Sequence, residues 1–264
     1  PLHVILRPGK TARLVLDLSR NCNDFVERER FHQQRFQDAI AASSPGCYYG
    51  KMDLADCFYS FPVHVDSRHL LAFELGGRHY RFRRLPMGLS SSPGWCERFL
   101  TVIDHELQRL GVRAVRYVDD FLFIAASPQE VRRAMDITRV VLTEHGLLLN
   151  EKKTEGPSQR IVFLGLGIDS VQQAIFVPSD KRSDLFAVIG SLHNSKFVSR
   201  RQLQSVAGKF NFVATALPGA RPFMRRLIDA VRGLPAPQAR AAMTPEMQDD
   251  LQAWRHWLTR WDGR

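Results

Sequence analysis

Cysteine is scarce in this chain, and no stretch of the chain stays apolar for long. Only four cysteines occur among the 264 residues, and they lack the short paired spacings of zinc sites or small disulfide scaffolds. No window approaches the ~18 consecutive apolar residues of a membrane span, and no charged-then-apolar leader opens the chain. We therefore expect no structural zinc, no disulfides and no membrane partner. The expected setting is reducing and intracellular, in the cytoplasm or the nucleus.

Acidic residues are also in deficit. The chain has 27 Asp and Glu against 37 Lys and Arg, which gives a net charge of +10 and a pI near 9.9. This excess favours a polyanionic partner, because Lys and Arg bind phosphate backbones by releasing counterions; a basic but unspecialised surface is the alternative. With 44% hydrophobic and 24% charged residues, the composition is globular and excludes wholesale disorder. Because the first residue is Pro1, we expect the chain to be cut from a longer protein.

The middle of the chain predicts a layered α+β domain. Two strands, 4–6 and 14–16, are joined by the breaker-rich turn Arg7–Lys10, and a polar helix is expected over 24–43. The next elements, in order, are a strand 47–54, a helix from Pro93, strands 112–118 and 121–125, a helix 128–146 and a strand 161–164. That order is typical of a split βαβ, ferredoxin-like sheet covered by two helices.

Beyond Pro178 the pattern changes to helices. Ser199–Gln202 reads as a capping box, another helix is expected from Pro222 to Val231, and Thr244 is expected to cap the last helix. An apolar stripe along this last helix is expected to pack against a neighbouring domain; it consists of Leu251, Trp254, Trp257, Leu258 and Trp261.

Three carboxylates stand at the ends of apolar strands. Asp119 and Asp120 lie between the two hairpin strands, where Asp is also an ordinary turn residue. Adjacent carboxylates repel each other, however, and a bound cation would remove that repulsion. Asp53 ends a strand that such a sheet places beside the hairpin. Asp53 and Asp119 could therefore share two Mg²⁺ ions roughly 3.5–4 Å apart, with the Leu54 carbonyl as a further oxygen ligand.

Five short blocks of the sequence resemble the motifs of reverse transcriptases, in the same order along the chain. The blocks are Asp53–Phe58, Leu85–Gly88, Tyr117–Asp120, Gly146–Lys153 and Phe163–Gly165. Residues 202–209 and 217–221 are similar to the thumb region of retroelement polymerases. They resemble the thumb of DIRS-like retrotransposons, with LTR elements and pararetroviruses as near relatives.

The resemblance implies a right-hand polymerase with a ferredoxin-like βαββαβ palm. The implied domains are partial fingers at 1–46, a palm at 47–178 and a helical thumb at 179–233. The palm would contain a fingers insertion at about 60–85 and a primer-grip hairpin at about 161–178. Residues 234–264 would form a linker and the start of a connection toward an absent RNase H domain.

The resemblance also implies a role for individual residues. Asp53, Asp119 and Asp120 would be the catalytic carboxylates that, with the Leu54 carbonyl, hold two Mg²⁺ ions, for which Mn²⁺ is an alternative. The implied dNTP-binding residues are Arg13, Lys10, Phe58, Met87, Gly88 and Lys152, where Phe58 would exclude a sugar 2′-hydroxyl. One of the two adjacent lysines, Lys152 or Lys153, would stand near the leaving pyrophosphate, and Lys152 is preferred. Met87 departs from the Gln of retroviral relatives. The implied primer and template contacts are Tyr117, Phe163, Leu164, Gly165, Arg200, Arg201 and Lys209.

The function implied is RNA-directed DNA synthesis. The enzyme would add dNTPs to a primer paired with an RNA or DNA template, as part of a retroelement polyprotein. A non-catalytic or co-opted nucleic-acid-binding module of the same fold is the alternative. An RNA-synthesising polymerase would use rNTPs, which Phe58 disfavours.

Overall fold

The computed structural model describes residues 2–7, 10–20, 22–27 and 31–261, with the side chains of residues 7, 10 and 11 outside the description. Pro8 and Gly9, at the tip of the predicted first turn, lie outside the described residues. The chain divides into two compact units, residues 1–43 with 47–158 and residues 44–46 with 159–264. The boundary thus falls between Ser158 and Gln159, so the 161–178 hairpin belongs to the second unit and not to the unit that holds the predicted palm sheet.

The first unit contains eight strands and five α-helices within the described residues. In chain order they are β1 Leu2–Arg7, β2 Lys10–Leu16, α1 Cys22–Phe25, α2 Phe36–Ala42, β3 Tyr48–Asp53, α3 Cys57–Ser60, β4 Ala72–Leu75, β5 Arg78–Arg81, α4 Ser92–Arg109, β6 Ala114–Tyr117, β7 Asp120–Ala125, α5 Pro128–Glu144 and β8 Glu155–Ser158. Two 3₁₀ helices, Val65–Leu71 and Glu151–Lys153, complete the unit.

Four strands form the central antiparallel sheet in the order β6-β7-β3-β8. This is the predicted ferredoxin-like arrangement, with the hairpin next to the first strand. The fourth strand differs from the prediction: it is β8, and the predicted strand 161–164 lies in another sheet. Because β8 is an edge strand, it tolerates Pro157, which has no N–H to give to a neighbour.

The helices that cover this sheet begin where their capping residues predicted. Ser127 and Glu130 form a reciprocal capping box at the start of α5. α5 packs closely on β3 because Gly50 has no side chain: a Cβ there would stand 2.6 Å from the Met135 sulfur. β3 and β7 are therefore held against a helix, with Phe121 and Phe123 fully buried.

Three local predictions in this unit were wrong. The region 24–43 is not one helix but the short α1 and α2, separated by irregular chain. The helical spacing of Trp95, Phe99, Ile103, Leu107 and Leu110 predicts that they form the apolar face of this helix. The buried face of α4 instead includes Cys96 and Leu100, and Trp95 and Phe99 are each 45% exposed. Asp120 is not a loop residue: it begins β7, and the two-residue turn is Val118–Asp119.

The second unit contains the remaining strands and helices. They are β9 Arg160–Phe163, β10 Leu166–Asp169, β11 Ala174–Phe176, α6 Ser179–His193, β12 Phe197–Ser199, α7 Arg200–Val213, a 3₁₀ helix Pro218–Met224, α8 Arg225–Gly233, β13 Arg240–Ala242 and α9 Pro245–Arg260. Strands β9, β10 and β11 form an antiparallel sheet. The helix expected from Pro222 thus begins with a 3₁₀ segment and becomes α-helical at Arg225.

The last helix belongs to the core of this second unit. Trp254 of α9 is fully buried and stacks on Phe210 of α7 with the ring centroids 4.1 Å apart. Leu251 and Leu258 are buried in the same cluster. The prediction that this stripe packs against a neighbouring domain was therefore wrong. Among the described residues, no helix is both long enough and apolar enough to cross a membrane.

Candidate active site

The sheet register brings the predicted carboxylates together. Asp53, the last residue of β3, lies directly opposite Asp120, the first residue of β7. Residues directly opposite each other on antiparallel strands project from the same face, with Cβ atoms about 4.5–5.5 Å apart. The Asp53 and Asp120 side chains are close enough to share a hydrogen bond. Two segments that are far apart in sequence thus meet at one end of the sheet.

Asp119 is placed by the turn between β6 and β7. Its carbonyl accepts a hydrogen bond from the Leu54 N–H at 3.0 Å, which ties the turn to the end of β3. The preceding residue, Val118, has a φ of +54°. A left-handed conformation costs a residue with a Cβ roughly 1–2 kcal/mol, and β-branched residues adopt it least readily. The surrounding structure must therefore hold this turn.

The surroundings of Asp119 and Asp120 favour the neutral form of each carboxyl group, so the pKa of each is raised. Burial raises the pKa of Asp120 to about 7, and the charge of Asp119 and the hydrogen bond with Asp53 add to this effect. Burial also raises the pKa of Asp119, again with a contribution from Asp53. Since the charge of Lys153 acts in the opposite direction on both groups, added cations would favour the ionised site.

Lys153, and not Lys152, reaches this cluster. The Lys153 Nζ lies 2.6 Å from Asp53 Oδ1, while Lys152 is exposed on the same 3₁₀ turn. The turn is anchored where the Asn150 N–H donates to the Asp53 carbonyl at 2.8 Å. Both lysines lie in the predicted motif, and sequence reasoning preferred Lys152. The sequence alone does not reveal which of the two side chains the 3₁₀ turn directs toward Asp53.

The donor set suits a hard divalent cation, although it is not arranged as a finished site. Among the described residues, no three Asp, Glu, His or Cys side chains form a group that could hold a metal ion. Instead, Asp53 is paired with Lys153 and is near enough to hydrogen-bond with Asp120. Carboxylate oxygens and a backbone carbonyl are nonetheless the ligands that Mg²⁺ prefers, and a bound cation would oppose the rise in the pKa values of Asp119 and Asp120.

The predicted dNTP-binding residues of the first unit differ in how near they lie to the carboxylates. Arg13 is exposed on β2, and its charge lowers the pKa of Asp119. Phe58 is half-buried on α3, the first helix after Asp53, and packs against the core. The side chain of Lys10 lies outside the described residues.

The 85–88 segment is held by the first hairpin. The carbonyl of Met87 accepts a hydrogen bond from the Leu16 N–H at 2.9 Å. Gly88 has a φ of +108°, and a Cβ there would overlap the Leu16 carbonyl oxygen. Gly88 was predicted to bind dNTP. In the structure, the absence of a side chain at Gly88 allows its backbone to lie close to the Leu16 carbonyl of β2.

The predicted primer and template residues fall in both units. Tyr117 is exposed at the end of β6 in the first unit. In the second unit, Phe163 is buried, while Leu164 and Gly165 form the tight turn after β9 with φ values of +46° and +80°. α7 carries the remaining predicted contacts, namely Arg200, Arg201 and Lys209.

Sequence reasoning missed one residue beside the turn. Arg116 is a buried arginine in the apolar strand β6. The sequence did contain a signal for this residue: Arg116 is a charged residue within an apolar run, three positions before the Asp119–Asp120 pair.

Comparison with known proteins places this sheet in a family context. The family described as reverse transcriptase (RNA-dependent DNA polymerase) matches residues 7–168. Protein P of duck hepatitis B virus (strain China) is 29% identical over 182 residues, covering 68% of this chain and 23% of that protein. The Gag-Pro-Pol polyprotein of human T-cell leukemia virus 2 is 24% identical over 215 residues, covering 76% of this chain and 14% of the polyprotein. The chain thus spans less than a quarter of the length of these two relatives.

Solved structures of the foamy viral protease-reverse transcriptase have the same fold. One, in complex with double-stranded DNA, matches with a TM-score of 0.79 at 22% identity, covering 98% of this chain and 43% of that chain. Another, in complex with an RNA/DNA hybrid, matches with a TM-score of 0.78 at 22% identity, covering 98% and 33%. The polymerase fold expected from the sequence is confirmed.

Proposed function

Because this chain belongs to the reverse transcriptase family, we propose that it is the polymerase part of an RNA-directed DNA polymerase from a retroelement polyprotein. The observation that carries the proposal is the pairing of Asp53 with Asp120 across the sheet, with Asp119 in the adjoining turn. The three carboxylates that we propose for nucleotidyl transfer are thus adjacent at one end of the sheet. The proposed reaction is attack of a primer 3′-oxygen on the α-phosphorus of a dNTP, with pyrophosphate as the leaving group.

Asp53, Asp119, Asp120 and the Leu54 carbonyl are the proposed ligands of two Mg²⁺ ions, or of Mn²⁺. When bound, such ions supply Lewis-acid activation of the primer hydroxyl and neutralise charge on the phosphates. The protein's own contribution is positioning. Arg13 is suited to holding the triphosphate because a guanidinium binds phosphate oxygens in bidentate fashion. Lys153 stands where an ammonium could protonate or neutralise the leaving pyrophosphate.

The proposed nucleic-acid contacts extend beyond the carboxylates. Tyr117, the 163–165 turn and the basic residues of α7 are proposed to contact primer and template, and the net charge of +10 supports a polyanionic partner. The foamy viral neighbours were solved with double-stranded DNA and with an RNA/DNA hybrid, which supports either template. A downstream RNase H domain and an intracellular location are also part of the proposal.

Primer extension tests the function. The 264-residue chain should extend a DNA primer on an RNA template with Mg²⁺ and dNTPs. D119N should lower the rate by about 10²-fold or more. The matched control is D136N, since Asp136 is an exposed residue of α5 paired only with Arg139 among the described side chains. Binding of primer–template without extension in either Mg²⁺ or Mn²⁺ would instead favour the non-catalytic module.

Sugar selection tests the role of Phe58. F58A should gain rNTP incorporation, because removal of the ring opens space for a 2′-hydroxyl. F58Y keeps the ring and should retain the preference for dNTPs. If F58A discriminates as well as the unsubstituted chain does, Phe58 is an ordinary packing residue of α3.

A further inference from the structure

A buried arginine stands two residues before the catalytic turn. The Arg116 side chain is 3% exposed and forms ion pairs with two carboxylates of α4. Its Nε and Nη2 donate to Asp104 at 2.7–3.0 Å, and its Nη1 and Nη2 donate to Glu97 at 3.0 and 2.9 Å. Burial alone would lower the pKa of Arg116, but the hydrogen bonds to Asp104 and Glu97 raise it. The guanidinium is therefore a permanent and rigidly held cation.

The same guanidinium also bonds the backbone of the turn. Arg116 Nη1 donates to the Val118 carbonyl at 3.1 Å. Val118 is the β-branched residue with a φ of +54°, and its carbonyl belongs to the peptide that leads into Asp119. From the other side, the Arg116 N–H donates to Gln34 Oε1 at 2.6 Å. The Arg116 side chain thus links the Val118 carbonyl to Glu97 and Asp104 of α4.

We propose that Arg116 is a positioning residue: anchored by Glu97 and Asp104, it holds the Val118 peptide and thereby orients the Asp119 carboxylate for metal and substrate. This inference rests on the proposed function. It requires the forked guanidinium, because all three of its nitrogens donate to the two carboxylates while Nη1 also donates to the Val118 carbonyl. A lysine would keep the charge between Glu97 and Asp104 but could not reproduce that geometry. The competing interpretation is a buried ion cluster that only joins α4 to β6.

R116K separates these interpretations, and R113K is the control because Arg113 is exposed three residues earlier. We expect R116K to lower kcat by about 10- to 100-fold, the scale of a misplaced reacting group. The KM for dNTP should change less than twofold, since the Arg116 side chain bonds Glu97, Asp104 and the Val118 carbonyl, none of which is a proposed dNTP ligand. Binding of Mn²⁺ alone, measured by calorimetry without dNTP, should be weaker in R116K than in R113K.

A second substitution tests the strained peptide itself. Glycine adopts a positive φ without a steric penalty. The turn of V118G should therefore keep its conformation without the hydrogen bond from Arg116. In a V118G background, R116K should reduce kcat by less than threefold. An equal loss of kcat in both backgrounds would overturn the inference. So would an R116K chain that melts at a lower temperature yet retains the kcat and Mn²⁺ affinity of R113K.

Failure of the proposed function would be recognised separately. If the unsubstituted chain extends no primer, that function fails, and Mn²⁺ binding alone decides the role of Arg116. Weaker Mn²⁺ binding by R116K then supports positioning, and equal binding contradicts it.

Discussion

Replacement of Lys153 by methionine should reveal how strongly the carboxylate cluster depends on a counterion. Met keeps the length and apolar stem of the side chain and removes only the charge. The lost contact is the 2.6 Å ion pair with Asp53, whose side chain is 7% exposed, against 52% for Lys153. The lysine charge also lowers the pKa of Asp119 and Asp120. K153M therefore leaves three neighbouring carboxyl groups with less compensation.

The size of the effect follows from the geometry. A hydrogen bond to a charged group contributes about 1.5–3 kcal/mol, and exposure of the ammonium reduces this toward the value of a surface pair. We expect K153M to lower the free energy of unfolding by about 1–2 kcal/mol in metal-free buffer. For a chain of this size, 1 kcal/mol corresponds to about 2–4 °C, so Tm should fall by about 2–8 °C.

Thermal unfolding with EDTA and with saturating Mg²⁺ is the assay. The deficit of K153M should shrink in Mg²⁺, because a bound divalent cation supplies the missing charge. K153M should also bind Mn²⁺ more tightly than the unsubstituted chain does, since Lys153 competes for Asp53. K152M is the matched control and should stay within about 0.5 kcal/mol. If K152M loses as much stability, or if the K153M deficit is the same in both buffers, the counterion role is refuted.

Three further substitutions test other parts of the chain. The pKa of Asp120 is raised from 3.8 to about 7 in the folded state, so between these pH values the folded chain binds one more proton than the unfolded chain does. The free energy of unfolding in EDTA should therefore fall as pH rises from about 4 to 7. Chemical denaturation across this pH range should show a smaller fall for D120N. G88A places a Cβ on the Leu16 carbonyl at a positive φ and should cost about 2–4 kcal/mol, whereas G233A, where a Cβ meets nothing, should not destabilise the chain. W254A empties a fully buried site against Phe210 and should cost about 3–5 kcal/mol; a loss under about 1 kcal/mol would contradict the placement of α9 in the core.

Features of the fold with a local physical cause were predictable from the sequence. Ser127 with Glu130, and Ser199 with Gln202, form the expected capping boxes, because a cap requires only residues three positions apart. Asp53 and the hairpin were expected to be neighbours because a βαββαβ order leaves few ways to arrange the strands.

Features that depend on contacts between distant segments were not predictable. β8 contains Gly156 and Pro157, which argue against a strand until its edge position is known. α9 could not be assigned to the second unit's core from its own stripe, since any apolar partner satisfies such a stripe. The choice between Lys152 and Lys153 depends on the phase of one 3₁₀ turn, which the Asn150–Asp53 hydrogen bond sets.

Two departures from local preference in the first unit meet at one hairpin. Val118 takes a backbone conformation that its side chain disfavours, and the next two residues are carboxylates that repel each other and Asp53. A structure selected for stability alone would place Asn-Gly in such a two-residue turn and an apolar pair at the Asp53–Asp120 position. Functional sites are where such departures from local preference are expected. Here, the added cost comes from placing adjacent carboxyl groups in a buried turn, where Lys153 only partly offsets the rise in their pKa values, and a bound cation would offset it further.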